Sequence, residues 1–279
     1  MQYTRNQVAE ILARTLSEGR PVIAAGAGTG ISAKFAEKGG SDLIVIYNSG
    51  RYRMTGYSSW AGLLPIGDAN GIVLEMGEHE VLPIVKKAPV IAGVFPSDPT
   101  REMWHFLKQV KDLGFSGVIN FPTVALLEGE FRSGMETSGL GFDRDVDMIE
   151  QAHGMNLYTM AYVFNVEEAV KMAEAGVDLN VAHMGNTAGG SVGQDGVPVL
   201  DDAARRTQEI ADAGRRANPK IITLCHGGPI AMPDDVAYIL EQTDVEGFVG
   251  ASSMERLPVE KPLEETTRKF KSLSIRKRS

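Results

Sequence analysis

Eight times over, the chain alternates between a short apolar run and a stretch of helical periodicity. The runs are Pro21–Ala25, Leu43–Tyr47, Val90–Phe95, Gly117–Phe121, Tyr158–Val163, Leu179–His183, Ile221–Cys225 and Gly247–Gly250. They are too short for helices and apolar on both faces, as strands of a parallel sheet covered on both sides must be. The helical patterns are Ser32–Lys38, Asn70–Lys86, Thr100–Leu113, Asp143–His153, Val166–Ala175, Asp201–Ala217, Pro233–Gln242 and Pro262–Leu273. A further helix is expected within residues 1–20, where Thr4 can act as cap and Val8, Ile11, Leu12 and Leu16 share a face. Gly39, Gly114, Gly154 and Gly176 follow helix ends and suit left-handed C-caps.

Such a series in 279 residues, with no linker dividing it, predicts an α/β fold. The expectation is a single (β/α)8 TIM barrel over 1–279, with an additional N-terminal helix (1–20) over the N-terminal face of the strands. A C-terminal helix and basic tail follow at 262–279. A doubly wound sheet is the competing arrangement, and eight even units argue against it.

Composition narrows the function. A lone cysteine, Cys225, excludes an internal disulfide and points to a reducing compartment. A net charge of −8 argues against a nucleic-acid-binding surface. No signal-like or membrane-spanning apolar run is visible, so a cytoplasmic protein with neither nucleic-acid nor membrane partners is expected.

In a barrel of this kind the site forms at the C-terminal ends of the strands. His183 and His226 fall at two such ends and are expected to share a cavity, acting as acid, base or electrophile near neutral pH. Tyr162, near the end of the fifth strand, joins them. The first strand leads into a glycine-rich turn with Gly28, whose backbone N–H groups suit an anion, and Ser49 follows the second strand. A dinucleotide site would need an acidic residue after that second strand, and none is present. Gly227, Gly228, Gly250, Ser252 and Ser253 follow strands seven and eight, where barrels commonly hold phosphate. Glu255 and Arg256 are expected to pair with each other or with a neighbouring subunit. The long loop after strand four offers Arg132 for an anion and Glu136 for proton transfer. Cys225 reads as a buried thiol, because adjacent strand residues point to opposite sides.

The stretch from Gly30 to Gly50, with its Ser-Ala-Lys helix and a strand ending in Ser-Gly, resembles the first unit of the phosphoenolpyruvate mutase/isocitrate lyase superfamily. Gly67-Asp68-Ala69-Asn70 resembles that superfamily's gating loop. Over essentially the whole chain, the segments Val181–Gly190, Cys225–Asp235 and Gly247–Pro258 resemble signatures of the phosphoenolpyruvate-hydrolase-like TIM-barrel family. That family is also similar to the C-terminal part of a tomato protein conferring tobamovirus resistance.

The resemblance implies an enzyme, a hydrolase or lyase, acting on a small 2-oxo acid or enol-phosphate-type substrate. Its chemistry would be C–C or P–O bond cleavage through an enolate-like intermediate, with Asp68 on a closing loop. It also implies magnesium held by carboxylates after strands three and four. Here those ends read Gly93-Val-Phe-Pro-Ser-Asp98 and Asn120-Phe-Pro-Thr123, so only Asp98 is available, in a position that suits a helix cap. The cofactor is therefore left open, with magnesium possible although the expected carboxylate ligands are not evident. A non-catalytic ligand-binding or signalling barrel is the competing reading. The expected partners are a small anionic substrate and further copies of the chain.

Overall fold

Strands with no polar face must be covered on both sides, and the eight runs meet this condition by closing on themselves. The computed structural model describes residues 2–276. Its strands are β1 (Val22–Gly26), β2 (Leu43–Ile46), β3 (Val90–Val94), β4 (Gly117–Asn120), β5 (Tyr158–Val163), β6 (Leu179–His183), β7 (Ile222–His226) and β8 (Gly247–Gly250). All are parallel and pair in sequence order, and β8 returns to β1 with Val22 opposite Gly247. This is a closed (β/α)8 barrel.

The helices are α1 (Arg5–Ser17), α2 (Gly30–Lys38), α3 (Asn48–Met54), α4 (Ala69–Met76), α5 (Met103–Leu113), α6 (Gly129–Thr137), α7 (Asp143–Gly154), α8 (Val166–Glu174), α9 (Leu200–Ala217), α10 (Pro233–Gln242) and α11 (Arg256–Lys271). Thr4 caps α1 reciprocally with Gln7, as the sequence suggests. The helix lies across the N-terminal mouth of the barrel. Arg5 Nε donates to Asp178 at 2.8 Å, and Gln2 Nε2 donates to the Phe115 carbonyl at 3.0 Å.

Several boundaries move. The expected helix Asn70–Lys86 ends at Met76 and passes into a π-helical turn, Gly77–Val81. The helix expected from Thr100 begins at Met103, with Glu102 at the cap position. Asp98 is therefore not its cap; it closes a local turn by accepting the Thr100 N–H at 2.9 Å. Gly114 and Gly176 adopt the left-handed conformation, whereas after α2 and α7 that role falls to Gly40 and Asn156. Two presumed loops carry short helices, α3 and α6, and two single 3-10 turns, Ser59–Leu63 and Val124–Leu126, sit between strand ends.

The last helix starts at Arg256, six residues before the proline that seemed to open it. From Lys261 onward α11 is exposed on every side. Val259, Leu263 and Phe270 repeat at helical spacing and form one apolar stripe facing solvent. Beside the root of α11, on the outer face of β1, β8 and α10, runs an apolar groove of about 770 Å³. Ile23, Phe248, Leu240 and Met254 line it. Of the expected basic tail, residues 277–279 lie outside the described residues. Among the described residues no helix is long and apolar enough to cross a membrane.

Candidate active site

The mouth of the barrel is organised around Tyr47, the residue after β2. Two glycines make room for it. A Cβ on Gly26 would stand 2.7 Å from the Tyr47 hydroxyl, and one on Gly93 would stand 2.5 Å from the Tyr47 Cβ. The ring crosses the axis, so its hydroxyl lies 3.5 Å from that of Tyr162 on β5. Tyr162 in turn packs against His183 and His226, with ring centroids 5.0 and 5.1 Å away. This aromatic layer floors a cavity of about 30 Å³, room for a water molecule. Trp60 and Leu63 from one 3-10 turn, and Leu126 from the other, close it from the loop side. Ser49, Arg53, Ser252 and Thr187 complete the wall.

His183 and His226 face each other across one rung of the β6–β7 ladder, centroids 4.6 Å apart. His226 was expected just past its strand; it is the strand's last residue. The two rings are held in opposite senses. The Nδ1 of His183 accepts the Gly185 N–H at 3.0 Å, which leaves its proton on Nε2. The Nδ1 of His226 donates to the Val249 carbonyl at 2.6 Å, which leaves a bare lone pair on Nε2. Burial, then His226 and Arg206, hold His183 well below the usual imidazole range. Burial and Arg53 bring His226 down to about 4, against the pull of the Val249 carbonyl. At neutral pH both rings are uncharged. The pair offers one N–H and one base.

Arg53 is the one charged side chain lining the cavity among the described residues. It was not singled out from sequence, and neither was Tyr47. Its signal lay in the spacing: once Asn48–Met54 is helical, Ser49 and Arg53 stand one turn apart on the same face. The guanidinium is buried and ion-paired with an equally buried Glu255, through Nε at 2.8 Å and Nη2 at 2.5 Å. Nη1 donates to Ser59 at 3.2 Å, on the turn that closes the cavity. Glu255 therefore pairs over the end of β1 with Arg53, not with Arg256, which instead binds Glu260 and the Gly189 carbonyl.

The remaining candidates divide. Ser49, Tyr162 and Ser252 line the cavity with the histidines. The Gly28 N–H is already donated to Glu255 at 2.7 Å, so the anion this turn cradles is the chain's own carboxylate. Gly28 is small because a Cβ would meet the Gly50 carbonyl at 2.0 Å. Gly227 and Gly228 let the loop after β6 cross close by, and the Gly228 N–H is spent on the Gly185 carbonyl at 2.9 Å. Gly250 packs against Phe248 and Met254. Ser253 lines the outer groove, where its hydroxyl is buried without a partner. Glu136 binds Arg132 and the Phe142 N–H outside the cavity, and Arg132 reaches the Val124 carbonyl and Glu168. Cys225 is buried, its thiol pushed up to about 12 by burial.

Asp68 caps α4 through the Gly71 N–H and, with Asp98, shares Arg101. They border a separate space of about 780 Å³ that adjoins the cavity along Leu63. Burial disfavours the Asp98 carboxylate, but Thr100, Arg101 and Asn70 outweigh it and hold the group down to about 2. A carboxylate so engaged has little left for a metal. At the end of β4, Asn120 supplies no carboxylate; its amide grips the Tyr162 backbone and Asp145. Among the described residues no three acidic, histidine or cysteine side chains converge. The donor set does not fit a magnesium ion, which prefers octahedral oxygen.

The fold and this mouth define a TIM barrel with a paired-histidine pocket at the C-terminal end of its strands. The chain belongs to the phosphoenolpyruvate hydrolase-like family, whose family model matches residues 7–273. It is 56% identical over 261 residues to the ToMV susceptible protein tm-1(GCR26) of Solanum lycopersicum, covering 93% of this chain and 34% of that protein. It is 54% identical over 272 residues to the ToMV resistance protein Tm-1(GCR237) of the same plant, covering 97% and 36%. The chain thus spans about a third of these relatives. Phosphonopyruvate hydrolase in complex with oxalate and Mg++ shares the fold, with a TM-score of 0.60 at 18% identity over 96% of this chain and 88% of that one. So does 2,3-dimethylmalate lyase, a PEP mutase/isocitrate lyase superfamily member, with a TM-score of 0.60 at 16% identity over 100% and 91%.

Proposed function

We propose that the chain is an enzyme for a small 2-oxo acid or enol-phosphate-type substrate, cleaving a C–C or P–O bond through an enolate-like intermediate. One observation carries this reading: two neutral imidazoles on one rung present a donor and a base to the same cavity. The Nε2–H of His183 is suited to an oxygen that gains negative charge, and the Nε2 of His226 to taking a proton from a hydroxyl or water. Tyr47, Tyr162, Ser49 and Ser252 add neutral donors, while among the described residues no carboxylate lines the cavity to repel an oxyanion. At about 30 Å³ the cavity has room for little more than a water molecule, so admitting a substrate requires the loops around it, the turn Ser59–Leu63 among them, to move. No step is assigned to a metal.

The test is a panel of 2-oxo acids, phosphoenolpyruvate and phosphonopyruvate, screened by thermal shift, with products followed by NMR. Turnover of one member that disappears in His226→Asn supports the reading. Tight binding without product for every member favours the second reading, a ligand-binding or signalling barrel. The resistance and susceptibility proteins among the relatives speak for that alternative.

The same proposal extends to assembly. The apolar stripe of α11 and the groove at its root are complementary in character, and both lie on one chain. A second copy is the occupant we assign to the groove, each protomer laying its α11 stripe on the other's barrel.

A further inference from the structure

We infer that Arg53, held in place by Glu255, is the anchor for the substrate's carboxylate. This rests on the oxyacid reading above and adds the group that would confer its charge selectivity. A guanidinium carries an N–H on Nε and a pair on each Nη. The Nε side is taken up by Glu255, and one Nη1 proton goes to Ser59. By count that leaves one N–H on each Nη, beside the Tyr47 ring, for a further acceptor such as a carboxylate.

The surroundings agree with this assignment. Arg53 lines the same cavity as both histidines, and no other charged side chain does so among the described residues. Left alone, a guanidinium so deeply buried would be very costly, and Glu255 offsets that cost while fixing the plane of the fork. Pairing with one carboxylate does not saturate an arginine in this molecule. Arg101 binds Asp98 through Nη1 and Asp68 through Nη2, and Arg51 binds Glu75 and Glu80 in the same divided way. Arg53 has the first of two such partners in Glu255, and its side chain lines the space where the second would sit. Displacing the turn Ser59–Leu63 to admit a ligand also releases the Ser59 contact and returns one more N–H to the site. The ligand class is therefore a short carboxylate with a second oxygen near its carboxyl carbon, so that the second oxygen reaches the His183 Nε2–H.

Calorimetry with oxalate as probe, alongside its neutral isostere oxamide, tests the assignment on the unaltered protein. Oxalate should bind and oxamide should bind at least about tenfold more weakly, the scale of a charge-assisted hydrogen bond. Equal binding of the two overturns the anchor. Arg53→Lys keeps the charge but loses the fork, and should weaken oxalate by about tenfold to a hundredfold. Removing Arg53 alone would strand the Glu255 charge, so the companion variant is the double change Arg53→Met with Glu255→Gln. That variant keeps an acceptor for the Gly28 N–H, and it should fold and lose oxalate binding. Oxalate bound at wild-type strength by either folded variant overturns the inference and leaves the histidine chemistry standing. Failure of the unaltered protein to bind oxalate or pyruvate at all overturns both.

Discussion

Asn120 grips the peptide of Tyr162 at both ends. Its Oδ1 accepts the Tyr162 N–H at 2.7 Å, and its Nδ2 donates to the Tyr162 carbonyl at 3.2 Å. The β4–β5 ladder stops at Ile119 and Met160, and the side chain takes over where the strands part. The same amide donates to Asp145 Oδ1 at 2.8 Å, while Asp145 Oδ2 is buried without a hydrogen bond. Burial pushes the Asp145 carboxyl up to about 7, with Glu168 adding to the rise and Thr123, Asn120 and Arg132 opposing it.

The pH dependence of Asp145 follows from that shift. Its folded pKa lies above the ordinary 3.8, so the unfolded chain loses this proton first and folding weakens as pH climbs from about 4 to about 7. Asp145→Asn keeps the acceptor for Asn120 and removes the charge. The variant should gain on the wild type across that window, by up to roughly 1.4 kcal/mol per pH unit, and hold a constant lead above it. Melting curves between pH 4 and 9 check this. A gap that does not change with pH would sink it.

His226 should act in the opposite direction. Its folded pKa, about 4, lies below the ordinary 6.5, so the unfolded chain binds the proton first and stability is lost as pH falls through that interval. His226→Asn should flatten this acid limb of the stability profile. On turnover, His183→Asn and His226→Asn should each lower kcat by about 10²–10⁴, the range of a lost acid–base group. Two folded variants with wild-type turnover would end the catalytic assignment.

Chelation should change nothing. With Asp98 committed to Thr100, Arg101 and Asn70, EDTA is expected to leave melting temperature and ligand binding as they were. A reversible loss restored by magnesium would mean that other oxygens complete a coordination shell.

The α11 assignment predicts a dimer that depends on its stripe. Leu263→Lys combined with Phe270→Lys should yield a monomer by light scattering, with the barrel's circular dichroism intact. A monomeric wild type at high concentration would dismiss the arrangement.

The barrel was legible because its signal is periodic and repeated. Six of the eight strands are buried throughout, and β5, β6 and β8 fall on the residues that hydropathy marks. The histidines were legible because position in a barrel strand implies a place at the mouth. What pattern could not convey were partners distant in the chain. Glu255 lies 202 residues from Arg53, and nothing local marks either as half of a buried pair. Gly28, Gly227 and Gly228 illustrate the same limit. A glycine that yields to a ligand and one that yields to a neighbouring backbone look alike until the neighbour is seen. Proline misled in one place, since Pro262 sits inside a helix it seemed to begin.

The rung shared by His183 and His226 has a consequence for how such a protein diversifies. The two rings take their spacing from strand pairing, and His226 takes its orientation from a backbone carbonyl of β8. His183 takes its orientation from Gly185, two residues on, so loops at the mouth beyond that point can be lengthened, shortened or exchanged without altering that geometry. Lineages sharing this ladder are free to change what they admit while inheriting the same two facing rings, so substrate range and chemistry can drift on separate clocks.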